Sequence, residues 1–520
     1  MVALSFVLIL VTLVVLHVYG KIKYRFADKI PCIEPLVPFF GNGLQFAQKN
    51  SYKIFLNLTR LFENEQNHRL FKLCFGPVAV LCPTHPDLIQ KVVTDSNSLD
   101  KPYVYKFLRV DLGLLSSRYD TWKVHRKLLN PTFNTRILNS FIPIFNDCAD
   151  KMIESIREHA APGKVLNILE FTSPCTLAMI CRTSLGGKVL EREGTKQFVE
   201  GLEIILSQVG LRMFNANLHP DIVYRFTRFY QKEMNSRKFC YAFTDKIIIE
   251  KQQELANAKA KGKQDTNNNP NDSGNDILED EEDDLLSYKK PQIFIDQLLT
   301  IPLPDGKPFS HKEISDHIYT MIAAGNETSA TQAAHTLLYL AMHPEVQEKA
   351  VKEIKELLPT PESRITSEIM KDMVYMERII KESQRLAPVA AVYGRKTIGE
   401  LHLDQFTIPK GNIFVLNIFA LHRRKEFWGE DADLFDPDRW LPENSKNRHP
   451  FAYLPFSGGN RGCIGSRYAM MSMKTIVSAI LRNFKITTDL EYEKLEFKFK
   501  VSMHLSGPHR VFVEPRNLYG

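Results

Sequence analysis

The apolar positions of the chain open with one long run. From Val2 to Gly20 nearly every residue is apolar, and His17 is the only side chain there able to charge near neutral pH. This is just long enough for a membrane-crossing helix, which needs about 20 residues. Lys21, Lys23 and Arg25 follow it. A secretory signal carries its charge before the apolar stretch and ends at a small-x-small cleavage site, and this segment does neither. Basic residues on the downstream flank put the following chain on the cytosolic side. The pattern predicts a single N-terminal transmembrane helix over 1–20, then a basic, proline-rich hinge over 21–45 containing Pro31, Pro35 and Pro38, and a folded body over 46–520.

Within the body, helical spacing alternates with short strand-like runs. Phe55 to Phe62 reads as helix, and Val78 to Cys82 as a strand ended by Pro83. Tyr103 to Leu115 is aromatic and irregular, which suits a loop over a pocket and equally suits surface packing. Amphipathic helix dominates 140–250. From 259 to 284 an Asn-rich stretch leads into the acidic run Glu279–Asp284, the composition of a disordered loop between two helices, and apolar periodicity resumes at Ile293–Leu299. His311 to Met342 reads as one helix of about nine turns, closed by Pro344. Ser466 to Asn483 reads as another, with Met470, Met473, Ile476, Val477, Ile480 and Leu481 at helical spacing. Short strands are predicted around Leu401–Ile408 and Phe497–Val513. The fold class is mainly α with a small β-rich region.

Composition adds constraints. A 44% hydrophobic and 24% charged chain of 520 residues has material for a large core. The eight cysteines (Cys32, Cys74, Cys82, Cys148, Cys175, Cys181, Cys240, Cys463) are scattered without a C-x-x-C pair, which argues against a disulfide framework or a structural zinc site and fits a reducing compartment. Net charge +7 is not gathered into a basic tail or a recognisable module, so nucleic-acid binding is not expected.

The candidate chemistry gathers around Phe456-Ser457-Gly458-Gly459-Asn460-Arg461-Gly462-Cys463-Ile464-Gly465. Glycines on both sides of one cysteine let the backbone lie flat against something bulky. The helix that follows places Cys463 at its N-terminus, which favours a thiolate. A structural cysteine beside a glycine-rich turn is the other reading. Upstream, Trp122 and Arg126 share one helix face and can both donate to a carboxylate; a surface cation–π pair has the same spacing. Ala323-Ala324-Gly325-Asn326-Glu327-Thr328-Ser329 interrupts the long helix with a glycine, an acid and an alcohol, and reads as a local opening over a ligand or as a kink. Glu382 and Arg385 pair at i and i+3, with Arg439 downstream in Phe435-Asp436-Pro437-Asp438-Arg439-Trp440.

The stretch around Cys463 resembles the haem-binding loop of the cytochromes P-450, with Phe456, Gly459, Arg461, Cys463 and Gly465 at the family's offsets. The W-x-x-x-R pair, the Glu327–Thr328 acid–alcohol pair, the E-x-x-R pair and the Arg439 segment stand in the family's order. The resemblance implies a haem-thiolate catalytic domain over 46–520, with haem b (iron protoporphyrin IX) and Cys463 as axial iron ligand. It further implies Trp122, Arg126, Arg395 and Arg461 as propionate donors and Glu327 and Thr328 as the proton relay to iron-bound dioxygen. The Glu382–Arg385–Arg439 cluster would be structural. Lys101-Pro102 to Phe107-Leu108 and Gly113 to Ser117 resemble the fourth-family clan, which includes fatty-acid ω-hydroxylases and insect microsomal enzymes. Many members carry a haem-esterifying Glu before the helix glycine, where this chain has Ala324, so non-covalent haem is expected.

The function implied is a monooxygenase at the endoplasmic reticulum membrane, inserting one oxygen atom from O2 into a lipophilic substrate such as a fatty acid, a hormone-like lipid or a xenobiotic. The pocket is expected near Tyr105, Phe107, Ala323, Ala324, Val392 and Val501–Leu505. With no dinucleotide fingerprint or flavin segment, electrons must come from outside. The implied donor is an NADPH–cytochrome P-450 reductase, with cytochrome b5 as a second donor, docking on Lys123, Lys127, Arg467 and Lys474. A reductase-independent haem-thiolate isomerase or dehydratase, and a non-catalytic membrane-tethered haem- or lipid-binding protein, are the alternative classes.

Overall fold

A computed structural model describes residues 2–46, 51–65, 67–267 and 293–519. Helices make up most of it, and four small sheets lie among them. The first helix, Val2–Lys23, covers the predicted anchor, although its side chains at 2, 3, 6 and 9 are not among those described. Among the described residues no helix is long and apolar enough to cross a membrane.

His311–Met342 forms the helix that its periodicity predicts, opened by a capping box in which Ser310 and Glu313 satisfy each other's backbone N–H groups. It is buried on every side from Ile314 to Ile322 and again from Ser329 to Ala341, so it runs through the core like an axle. Helix Leu169–Ser184 packs along it, and helix Ser466–Asn483 crosses it nearby. Such all-round burial explains why its sequence lacks a polar stripe.

The largest sheet has four strands in the order Leu70–Phe75, Val78–Pro83, Ile413–Asn417, Val392–Lys396. The first two form a hairpin turning at Gly76, with Phe75 opposite Val78. Val80 then pairs in parallel with Ile413, and Arg395 lies opposite Phe414. A second sheet joins Leu166–Asn167, Arg510–Pro515 and Phe484–Thr487. The hairpin Phe497–Phe499/Met503–Leu505 is fixed to the body where Met503 N–H donates to the Val389 carbonyl at 2.8 Å.

The stretch read as a loop from 259 is helical through 267, where helix Arg228–Asn267 ends. Ala, Lys and Gln between 255 and 264 are good helix formers and carry the helix on. The remainder of that stretch, 268–284, lies outside the described residues.

Candidate functional site

Two residues in the left-handed region shape the cysteine loop, Ser457 (φ 60) and Gly459 (φ 65). A Cβ at 459 would stand 1.9 Å from the Val93 carbonyl oxygen, so only glycine fits there. Cys463 N–H donates to the Phe456 carbonyl at 2.9 Å and closes the loop. Helix Ser466–Asn483 starts immediately after Gly465. Cys463 opens onto an internal cavity of about 1260 Å³, which Phe456 also lines. Burial pushes its thiol up, against the Gly465 N–H and the Arg126 charge, which pull it down. For the side chain alone desolvation thus outweighs the helix N-terminus; coordination to iron deprotonates such a thiol.

The cations lining the same cavity include Lys101, Arg126, Arg395 and Arg461; a fifth, Arg237, is paired with Glu233 at 2.7 Å. Arg126 donates to the Gly462 carbonyl at 2.9 Å, which ties its helix to the loop. Arg395 donates to Ser457 Oγ at 2.8 Å. The Arg461 guanidinium lies over the buried Trp122 ring at 4.7 Å. Yet Arg126 Nε, Arg395 Nε, and Arg461 Nε and Nη1 are buried without a hydrogen-bond partner. Burial, then repulsion from Arg395, pushes Arg461 down to about 9, and the same two influences push Lys101 well below its ordinary value. The Asp100 carboxylate opposes them at both residues, and Tyr105 does so at Arg461. Unpaired buried cations are costly. A flat apolar group bearing two carboxylates, with a metal within reach of Cys463, relieves that cost, so these residues fit haem.

On the long helix, the stretch from Ala323 to Thr328 interrupts the burial and lines the cavity. The opening predicted here is real, but the helix itself does not break. Thr328 Oγ1 donates to the Ala324 carbonyl at 2.6 Å, within the helical ladder. Gly325 serves packing, since a Cβ there would meet Ile180 Cδ1 at 2.8 Å. Glu327 Oε1 accepts from His504 Nε2 at 2.7 Å and from Ser502 Oγ at 2.9 Å. Burial would raise the Glu327 carboxyl, but the His504 hydrogen bond and charge, the Ser502 hydroxyl and Lys500 together hold it below its ordinary value.

The profile of the family described as "Cytochrome P450" matches residues 31–512. The chain belongs to the cytochrome P450 family. It is 29% identical over 514 residues to cytochrome P450 4c21 of Blattella germanica, covering 98% of both chains. It is 28% identical over 499 residues to cytochrome P450 4V2 of Homo sapiens, covering 95% of this chain and 91% of that one. Cytochrome P450 4c3 of Drosophila melanogaster is 27% identical over 514 residues, 97% of this chain and 93% of that one. The chain is therefore a haem-thiolate monooxygenase related to the fourth family, and its cofactor is haem b held through a cysteine thiolate.

Against this P450 framework the eight predicted site residues, Cys463, Phe456, Trp122, Arg126, Arg395, Arg461, Glu327 and Thr328, all line one cavity. Tyr105, Ala323, Ala324, Val392, Val501 and Ser502 line it as well. Phe107 does not; it is buried beneath the Arg212 guanidinium, 4.0 Å from its ring. Lys474 is not a docking cation either, since it is buried and paired with Glu377 at 2.9 Å, whereas Lys123, Lys127 and Arg467 are exposed. Sequence reading missed Lys101 as a cation of this site; His504 falls in the expected Val501–Leu505 segment, of which only Val501 and Ser502 line the cavity, and its bond to Glu327 was not foreseen. Nothing in their spacing distinguishes them from surface residues, because both reach the site only through folding.

Proposed function

We propose that this chain inserts one atom of dioxygen into a lipophilic substrate at the endoplasmic reticulum membrane, with electrons from an NADPH-dependent reductase. The observation that carries this reading is the convergence on one apolar cavity of a lone cysteine, three arginines with unbonded guanidinium atoms and the open stretch of the long helix. Cys463 would supply the thiolate ligand to the haem iron. Trp122, Arg126, Arg395 and Arg461 would hold the two propionates, with the three guanidinium groups supplying the counter-charge. The bound haem supplies the activation of dioxygen. The apolar walls exclude water and select lipophilic molecules. Thr328 and Glu327 hold and pass protons on the cavity side of the long helix. Ala324, open to the cavity, has no carboxylate to esterify haem.

The first helix is the anchor in this reading. Its described side chains Leu4, Val7, Leu8, Leu10, Val11, Val14, Val15, Leu16 and Val18 are all exposed, an unusual cost in water that a bilayer removes. The reductase meets the exposed cations Lys123, Lys127 and Arg467. Charge reversal there is expected to slow electron transfer at low salt and to matter less as salt rises; rates that ignore all three substitutions at low ionic strength would remove this face from the reading.

The deciding test is spectroscopic. Reduced protein exposed to carbon monoxide should show the strongly red-shifted Soret band of thiolate-ligated haem, and Cys463→Ala should lose it while remaining folded. A retained band would assign the thiolate to another cysteine.

A further inference from the structure

Glu327 is the one carboxylate among the eight site residues, and the chain holds it with two side chains from a distant segment. Ser502 and His504 belong to the hairpin Phe497–Phe499/Met503–Leu505, whose strand residues Met503 and Leu505 are buried alongside His504. Ser502 Oγ and His504 Nε2 lie 3.0 Å apart, and both reach Glu327 Oε1. The arrangement has the three residue types of a hydrolase triad but not its wiring. A triad joins the serine to one imidazole nitrogen and the acid to the other; here one nitrogen, Nε2, serves both. Two polar groups therefore converge on a single carboxylate oxygen, and Oε2 is not consumed by them.

The surroundings make this an isolated charge site. The titratable and charged groups facing it are Lys500 from the hairpin turn, His335 from the long helix and His509 from the loop before the last strand. Burial pushes His335 well below its ordinary value and His509 down to about 3, each lowered further by His504, so both stay neutral. His335 Nε2 and both nitrogens of His509 have no hydrogen-bond partner. Within this pocket of neutral imidazoles, His504 is the histidine bonded to the cavity carboxylate.

We propose that His504, set in place by Ser502, is a positioning residue and proton source for Glu327, a role that rests on reading Glu327 as a proton donor to the reaction. Glu327 rests as the carboxylate; when the reaction draws a proton, protonated His504 transfers its Nε2 proton to Oε1, and the carboxyl so formed gives a proton to the cavity. The carboxylate is restored, the imidazole is left neutral, and a solvent proton recharges it. Ser502 keeps the carboxylate in one rotamer while this happens.

The test uses the full-length haem protein with an NADPH-dependent reductase in lipid vesicles, comparing wild type, His504→Gln, Glu327→Gln and the double variant. Two quantities are read: peroxide released per NADPH oxidised, and the pH at which the Glu327 carboxyl protonates by infrared difference spectroscopy. His504→Gln should release several-fold more peroxide per NADPH, as Glu327→Gln does, and the double variant should add nothing further. The Glu327 carboxyl should protonate about 1 pH unit higher or more in His504→Gln. A wild-type peroxide ratio in His504→Gln, with or without lower thermal stability, would reduce His504 to packing and overturn the proposal. So would effects that sum fully in the double variant. If wild type binds haem but oxidises no NADPH, the proposed function fails by itself, and the infrared shift still decides whether His504 governs Glu327.

Discussion

Two of the groups of buried cations among the described residues are handled in opposite ways. In the first, Arg385 donates to both Glu382 oxygens at 3.0 and 2.7 Å, and Arg439 reaches the same carboxylate at 3.2 Å. Trp440 Nε1 adds a bond to it at 2.9 Å, and Asp431 pairs with Arg439 at 2.9 Å. Glu382 and Arg385 are fully buried, and the charges balance within the protein. In the second, Lys101, Arg126, Arg395 and Arg461 surround the cavity with guanidinium atoms left unbonded and with Asp100 as their nearby carboxylate. A protein that completes one such cluster and leaves the other incomplete has built the second around an anion that the chain does not supply. The first cluster is structure; the second is a binding site.

The strongest way to break this comparison is Glu382→Ala, which strands two buried guanidinium groups. It should cost about 3–5 kcal/mol, read by denaturant unfolding, and a loss below 1 kcal/mol would deny the cluster its structural role. The mirror-image substitutions are Lys101→Met and Arg461→Met, which remove cations that no carboxylate pairs with directly, although Arg461 also donates to the Ser117 carbonyl. They should leave the haem-free protein as stable as wild type or more so, while haem escapes on the order of tenfold faster, the worth of a lost charged hydrogen bond. Transfer of haem to an acceptor apoprotein measures this, and equal escape rates would contradict the reading of the second cluster. The smallest effect sharpens the first cluster through pH. His422, whose carbonyl accepts from Arg385, receives the Leu454 N–H on Nε2 at 2.8 Å and is pushed down from 6.5 to about 3 by burial and by Arg385. Its folded pKa lies below its unfolded one, so its contribution is complete above about pH 6.5 and is lost as pH falls toward 3. His422→Asn keeps an acceptor without the titration and should flatten the fall in melting temperature across that window.

Much of this was legible along the chain, and the reasons differ by element. Helices His311–Met342 and Ser466–Asn483 fall on the residues their patterns predict, because caps and helical spacing act within a few turns. The cysteine loop was legible because its glycines answer local demands on the backbone, as Gly459 against Val93 shows. Lys474 misled, since a lysine on an amphipathic helix reads as solvated until its partner, Glu377 on another helix, is known. Helix Arg228–Asn267 outran the boundary set by composition, because helix formers preceded the acidic run.

The sequence by itself determined the helical architecture, the cysteine, and which acid and alcohol stand on the long helix, since each depends on neighbours close in the chain. Only the tertiary structure decided that Lys101 joins Arg126, Arg395 and Arg461 around one cavity, and that Glu327 meets Ser502 and His504. Such contacts join residues far apart in sequence. Their energies come from shared burial, where a missing or present counter-charge weighs far more than in water, and burial exists only once the chain has folded.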